Sequence, residues 1–205
     1  MLLSGAAGIY AWNGLPKATR SLVFQCFAGI LITITARYWR PNGWLHNLYM
    51  LLDFGLVLWA ATAFLPHRIS RWYIPAAYIL YLAAWFASLL NSGATSFEMQ
   101  PFAIWAFLTG CILITILYLV VLFHVTLSGI IVRQKSTFFL CFAILLYYAC
   151  STPLYGMLNY LIQYYPHTAQ LLHQNINWGL SNTRYLFIGI YFLSFAWKHS
   201  NRPPA

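Results

Sequence analysis

Long apolar segments alternate along the chain with short polar stretches that contain Gly, Pro and Asn. The apolar segments are residues 1–12, 21–39, 45–65, 72–90, 101–125, 137–161 and 173–197. Their length and their lack of strict apolar–polar alternation favour helices over strands, and the stretches between them are typical helix breakers. The pattern predicts an all-α, polytopic transmembrane helical bundle.

The first segment is shorter than the others. Twelve helical residues rise about 18 Å, whereas the hydrocarbon core of a bilayer is about 30 Å thick. The segment therefore forms a partial span, or the natural protein begins upstream of Met1. We expect about seven helices, or six if the first segment does not span. No linker and no second domain is recognisable, so residues 1–205 are expected to form a single transmembrane domain.

Composition agrees with a lipid environment. Hydrophobic residues make up 61% of the chain and charged residues only 6%, whereas soluble domains carry about 25% charged residues. The net charge of +9 does not indicate nucleic-acid binding, because the basic residues are scattered between apolar segments and form no basic face. The four cysteines lie within apolar segments without a CxxC pair, so neither disulfides nor a metal site is expected.

The distribution of Lys and Arg predicts an orientation. In a bundle of seven spans, one side would receive Lys17, Arg20, Arg68, Arg71, Arg133, Lys135, Lys198 and Arg202. The opposite side would receive only Arg37 and Arg40, and its loops at 91–100 and 162–169 have no basic residue. The positive-inside rule then places the N-terminus outside and the C-terminus in the cytoplasm. Six spans would leave this orientation unchanged.

Two of the apolar segments carry polar side chains at helical spacing. The third segment has His46, Tyr49 and Asp53 on one helix face. The seventh segment has His173, Asn177, Ser181 and Arg184 on one face. Both segments enter from the predicted outer side, and Asp53 and Arg184 would lie at a similar depth, roughly 10 Å below the surface.

A lone charge at the centre of a transmembrane helix costs about 2.5–3.5 kcal/mol, and an opposite charge in contact removes much of this cost. We therefore expect Asp53 to pair with Arg184 across the third and seventh segments. In the alternative, Arg184 extends to the outer headgroups and Asp53 is protonated in a helix contact. A pair could also serve only to hold the two helices together.

Other residues carry weaker expectations. Gly110 and Gly189 are expected to permit close helix contacts, and Pro153 is expected to bend the sixth segment. His67 and His167 lie at segment boundaries, where polar residues are common, and so does His199. We assign no function to these positions.

The chain resembles a family of uncharacterised small bacterial seven-helix membrane proteins, often encoded near sensor histidine kinases. The resemblance lies in "GLPKATRSLVFQCFAGILITITARYW", "LHNLYMLLDFGLVLWAATAFLP", "STFFLCFAILLYYACSTPLYG" and "LLHQNINWGLSNTRYLFIGIYF". The matching site positions are Tyr49, Asp53, His173 and Asn177. His46 is displaced by one residue, and Thr33 and Thr35 lie where an acidic residue of the second helix is expected. The resemblance implies seven helices in the bacterial cytoplasmic (inner) membrane, but no established activity.

Several classes of function fit this pattern. We favour a binding, sensory or partner-binding subunit with a polar site near the outer side, which would pass a signal to another membrane protein because its loops are short. The alternatives are a transporter or channel subunit that uses the Asp/Arg/His cluster, a purely structural role and an intramembrane metal-dependent hydrolase. The hydrolase would use His46, Asp53, His173 and Ser181, although zinc catalysis usually requires three protein ligands and a water.

Haem ligation by His46 and His173 is a further alternative. We assign no catalytic residue, cofactor or metal ligand. The expected partners are the lipid bilayer and, as a further candidate, another membrane protein.

Overall fold

The computed structural model describes residues 1–39, 42–91, 102–128 and 135–200, except for the side chains of residues 159, 173, 174 and 198–200. Residues 92–100 of the predicted outer loop at 91–100 lie outside this description, as do Arg40, Arg133 and Arg202. The helices are α1 (Leu2–Tyr10), α2 (Ser21–Tyr38), α3 (Gly43–Ala61), α4 (His67–Leu90), α5 (Ile104–Leu127), α6 (Lys135–Tyr164), α7 (Pro166–Leu172) and α8 (Trp178–Ser200). The described ranges contain no strand, so the prediction of an all-α bundle is confirmed.

Five stretches of the described residues are long and apolar enough to cross a membrane. They are Ala18–Tyr38, Gly43–Ala61, His67–Leu90, Ile104–Leu127 and Lys135–Leu158. Helix α8 has 23 residues but is less apolar, because its first half carries Ser181, Asn182, Thr183 and Arg184. Helix α1 has nine residues and rises only about 14 Å. The structure supports a membrane protein, and the count of seven spans stays a prediction.

The prediction of a loop at 162–169 is wrong. Helix α6 continues to Tyr164, and after Tyr165 the chain enters the short helix α7 at Pro166. Proline is well suited to the first position of a helix, because its fixed φ matches the helix and the amide N–H that it lacks would have no partner there. Helix α7 is followed by a π-helical turn, His173–Asn177, that leads into α8.

The helices pack in a closed ring. Helix α2 packs on α3, α3 on α4 and α5, α4 on α5, α5 on α6, and α6 on α8, while α1 lies between α8 and α2 and closes the ring. Small residues allow the close approach of α1. A Cβ atom on Gly8 would lie 2.6 Å from a methyl group of Val23 and 2.9 Å from the ring of Phe192. The Ser4 hydroxyl also donates a 2.7 Å hydrogen bond to the Tyr185 carbonyl.

Two expectations about small helix residues are confirmed. A Cβ atom on Gly110 would lie 3.0 Å from the ring of Tyr81, and one on Gly189 would lie 3.2 Å from the hydroxyl of Ser4. Such glycines let neighbouring helices approach each other closely in a membrane, where there is no strong hydrophobic drive between them.

Helix α6 continues through Pro153. One residue earlier, the Thr152 hydroxyl donates a hydrogen bond to the Tyr148 carbonyl at 3.0 Å.

Polar and apolar side chains are distributed as a bilayer requires. Large apolar side chains point outward, such as Leu31, Trp72 and Phe123, each more than 60% exposed. An ionic pair, Asp53 and Arg184, is buried inside the ring. Ionisable residues in transmembrane segments face the bundle interior in this way and pair with one another.

Candidate functional site

Asp53 of α3 and Arg184 of α8 meet inside the ring of helices. Nη1 of Arg184 lies 3.5 Å from Oδ2 of Asp53, and the two residues are 3% and 8% exposed. The predicted pair is therefore confirmed, and the alternative in which Arg184 extends to the headgroups is wrong. A single nitrogen–oxygen contact joins the two side chains, in contrast to the two parallel contacts of a bidentate arginine–carboxylate pair.

Three further donors bind the Asp53 carboxylate. Oδ1 accepts hydrogen bonds from Nε2 of Gln25 at 2.6 Å and from the Tyr49 hydroxyl at 3.2 Å. Oδ2 accepts a 2.6 Å hydrogen bond from the Tyr148 hydroxyl. Buried acids are tolerated only when their oxygens are satisfied. Here the donors come from α2, α3, α6 and α8, so this carboxylate links four helices.

Tyrosines surround the Arg184 guanidinium. Nη1 donates to the Tyr148 hydroxyl at 3.0 Å, and Nη2 donates to the Tyr185 hydroxyl at 3.1 Å. The guanidinium carbon lies 4.1 Å from the ring centroid of Tyr147 and 4.9 Å from that of Tyr185. Cation–π contacts of this kind are worth about 2 kcal/mol when they are desolvated. The arginine is therefore stabilised by rings and hydroxyls as well as by Asp53.

Helix α2 provides both a donor and a gap for this cluster. Gln25 and Gly29 are one turn apart and share a helix face. A Cβ atom on Gly29 would lie 3.0 Å from the Tyr185 hydroxyl and 3.2 Å from the Tyr49 hydroxyl. These two hydroxyls are themselves 3.1 Å apart. A glycine at this position lets them lie against the α2 backbone.

Sequence reasoning missed Gln25, Tyr147, Tyr148 and Tyr185. Tyrosines in apolar segments are expected mainly at the membrane interface, so these rings were not distinguished from the others. Their positions in the sequence could have distinguished them from interfacial tyrosines. Tyr185 is adjacent to Arg184, and Tyr147 and Tyr148 lie near the middle of their apolar segment. Gln25 could have been identified as an amide one turn from the glycine that α2 needs for close packing.

A cavity of about 190 Å³ adjoins the ion pair. Six of the seven predicted site residues line it: His46, Tyr49, Asp53, Asn177, Ser181 and Arg184. For the seventh, His173, the backbone begins the π-helical turn, but the side chain lies outside the description. Such π-helical turns occur frequently at functional sites. The helical spacing predicted which polar residues share a helix face, and six of these residues line one cavity.

Two polar atoms of this wall have no hydrogen-bond partner among the described residues. They are Nε of Arg184 and Oδ1 of Asn177, and both are buried. Buried polar groups are nearly always paired, with protein, water or ligand. Because both atoms are fully buried, a molecule in the cavity would bond them only after neighbouring side chains had moved.

A second cavity of about 580 Å³ adjoins the first. Four residues line both: His46, Phe102, Tyr155 and Asn177. The rest of its wall comes from α5, the C-terminal part of α6 and α7, including Ile104, Leu158 and Ala169. It therefore lies at the end of the bundle where α3 and α5 begin and α6 ends.

The described side chains contain no group of three or more His, Cys, Asp or Glu that could hold a metal ion. The hydrolase alternative therefore lacks a complete ligand set within that part of the chain. Haem ligation would require the side chain of His173, which is not described, so this alternative stays a prediction.

No protein-family model, no curated protein and no solved structure matches this chain. The resemblance to small bacterial seven-helix proteins therefore stays a prediction.

Proposed function

We propose that the protein is an integral membrane binding or sensory subunit whose ligand occupies the cavity beside Asp53 and Arg184. The observation that carries this proposal is the cavity of about 190 Å³ whose wall includes both members of the buried ion pair. Ligand sites are typically concave, mostly apolar and equipped with a few convergent polar groups.

The orientation proposed for this subunit places the N-terminus outside and the C-terminus in the cytoplasm of a bacterial inner membrane, with seven helices in the bundle. It is supported by the eight-to-two asymmetry of Lys and Arg between the two sides. In this orientation the cavities lie toward the outer side. Cysteine at Ser96 should react with an impermeant maleimide in intact cells, and cysteine at Ser200 only after permeabilisation. The opposite pattern would reverse the orientation.

The loops between the helices are short, so a signal would pass through the helices to another membrane protein. The carboxylate of Asp53 joins α2, α3, α6 and α8 through its four donors. A ligand that bound Arg184 more strongly in one arrangement of these helices than in another would shift their equilibrium. The ion pair would then be the element that responds to binding.

Native mass spectrometry of the protein in mild detergent tests the binding function. Ser181 lines the cavity, whereas the adjacent Asn182 is exposed, so the two positions form a matched pair. The wild type and Asn182→Trp should retain a bound small molecule that Ser181→Trp lacks. Equal occupancy in all three proteins would show that the ligand does not lie in this cavity.

A transporter or channel subunit is the second candidate. It is favoured by the connected hydroxyls of Tyr49 and Tyr185 beside the ion pair, which resemble part of a proton path. Beyond the pair, however, the core is filled by Leu22, Leu58 and Ile188, each at most 1% exposed. A polar path would have to open there. Proton or solute flux in proteoliposomes would support transport over sensing.

A further inference from the structure

Helix α6 and the helix that returns after it form an antiparallel hairpin that turns at Tyr165. Helix α6 ends at Tyr164, and α7, the π-helical turn and α8 follow one another without a gap from Pro166. The hydroxyls of Ser136 and Ser194 are 2.8 Å apart, and these residues lie 29 positions before and after Tyr165. Residues at equal distances from the turn are therefore in contact at the other end of both arms, so the arms run side by side.

The hairpin extends further than the helices beside it. Tyr148 of α6 and Gln25 of α2 bond the same carboxylate, that of Asp53, and so lie at one level. From Tyr148 to Tyr165 the chain advances 17 residues, which is a rise of about 25 Å. From Gln25 to the end of α2 at Tyr38 it advances 13 residues, or about 20 Å. The turn of the hairpin therefore lies about 5 Å beyond the end of α2.

Two markers indicate where the hydrocarbon core ends along this hairpin. The stretch of α6 that is apolar enough to cross a membrane ends at Leu158. On α2, the exposed Arg37 is 12 residues beyond the glutamine at the ion pair, and basic side chains near helix ends extend to the headgroups. The same advance along α6 from Tyr148 reaches Tyr160. The headgroup layer is about 5–8 Å thick on each side of a bilayer, so residues 160–172, here called the hairpin tip, would lie within it.

The hairpin tip is exposed and rich in tyrosine. Three of its rings are 54–59% exposed, those of Tyr160, Tyr164 and Tyr165. Residues 136–183 contain no Asp, Glu, Lys or Arg, and the imidazole of the tip is that of His167. Protein surfaces in water are usually much richer in charge, and a cluster of exposed rings would promote association there. Tyrosine suits the headgroup layer, because its ring contacts lipid while its hydroxyl contacts water.

We propose that the hairpin tip inserts into the headgroup layer of the leaflet at this end of the bundle and binds the phospholipid surface through Tyr160, Tyr164 and Tyr165. In the proposed orientation this is the outer leaflet. The inference goes beyond the proposed binding function, because it requires no ligand in either cavity. The two arms that meet at the tip carry Tyr148 and Arg184, so attachment of the tip to the leaflet would fix the depth of the ion pair in the membrane.

Depth-dependent quenching of a fluorophore tests the position of the tip. Gln163 and Gln170 are exposed on it, and Gln163→Cys and Gln170→Cys are each labelled with an NBD maleimide in the full chain in phosphatidylcholine nanodiscs. Ile116, 47% exposed in the middle of α5, provides the matched label in the hydrocarbon core as Ile116→Cys. Wild-type protein treated in the same way gives the background from the native cysteines.

The expected result is a label at headgroup depth. Relative to the label at Ile116, both tip labels should be quenched at least twofold more by a headgroup spin label and at least twofold less by a 12-doxyl lipid. Relative to the same fluorophore on free cysteine, aqueous iodide should quench the tip labels at least fivefold less.

Substitution of the tyrosines tests which side chains hold the tip in place. The combined variant Tyr164→Ser and Tyr165→Ser should at least double the iodide quenching of the label at Gln170. The label at Ile116 should be unaffected, which shows that the bundle is still folded. Tyr10→Ser is the matched control and should change neither label, because Tyr10 is 75% exposed and lies on α1, outside the tip.

Three results would overturn the inference. Iodide quenching of the tip labels as strong as that of free cysteine would place the tip in water. Protection of these labels from iodide and from the headgroup spin label alike would show that protein covers the tip. An unchanged label in the tyrosine variant would show that these rings do not hold it. None of these results bears on the cavity beside the ion pair, which the mass-spectrometric comparison of Ser181→Trp with Asn182→Trp tests separately.

Discussion

Replacing Asp53 with Asn and Arg184 with Leu, singly and together, measures how strongly the two buried charges are coupled. At 3.5 Å and an effective dielectric constant near 20, Coulomb's law gives an attraction of about 5 kcal/mol. Removing one partner of a buried pair costs about 3–5 kcal/mol in soluble proteins. The remaining partner is not left bare here, because either residue keeps the Tyr148 hydroxyl and other contacts.

We therefore expect each single variant to lose about 3 kcal/mol of unfolding free energy, at the lower end of that range. The double variant should lose about 4 kcal/mol rather than about 6, since neither charge is then unpaired, which gives a coupling of about 2 kcal/mol. Reversible denaturation in bicelles, followed by far-ultraviolet circular dichroism, gives the four free energies.

The control is a second cycle that combines Arg184→Leu with Ser136→Ala. Ser136 contacts the Ser194 hydroxyl at 2.8 Å and is not a lining residue of the cavity beside the pair. Its effect should add to that of Arg184→Leu within about 0.5 kcal/mol. If the Asp53–Arg184 cycle were additive within the same margin, the reasoning that the charges stabilise each other would be refuted.

Three further substitutions, two of them with a matched control, probe other contacts. Tyr148→Phe should lower the unfolding free energy by about 1.5–3 kcal/mol, because the lost hydroxyl bonds both members of the ion pair. Its control is Tyr160→Phe, at a residue 54% exposed, which should change the unfolding free energy by less than about 0.5 kcal/mol. Gly8→Ala should lower the thermal midpoint in detergent, since its Cβ would lie 2.6 Å from a valine methyl, whereas Gly179→Ala meets nothing within 4 Å. His67 is exposed at the start of its helix, so His67→Gln should leave the thermal midpoint in detergent unchanged. A markedly lower midpoint would show that this side chain makes a stabilising contact despite its exposure.

The helices and the ion pair could be predicted from the sequence for simple physical reasons. Apolar segments long enough to cross a bilayer have few structural options other than a helix, because the backbone must satisfy its own hydrogen bonds in lipid. Within such a segment, the spacing of polar residues fixes which of them share a face. Asp53 and Arg184 could therefore be predicted as a pair once each had been placed on the polar face of its helix, although an arginine at the headgroups was an alternative.

The surroundings of the pair could not be predicted in the same way. Whether Tyr147 or Tyr148 contacts the arginine depends on how α6 is rotated and how close it lies, and packing of side chains across helices determines both. The same is true of Gln25, whose contact with Asp53 depends on the approach that Gly29 allows. Helix α7 was missed because its seven residues lie in a polar stretch between two apolar segments.

The distribution of charge distinguishes two physical tasks. Eight basic residues flank the apolar segments on the side proposed to be cytoplasmic, where cations orient a protein in its membrane. Arg184 lies within a helix, and one of only two acidic residues in the sequence is in contact with it. An acid at this depth contributes little to topology, which depends mainly on Lys and Arg in the loops. Its position is explained by the arginine it contacts, and the tyrosine hydroxyls and rings around both charges replace the water that each would have outside the bilayer.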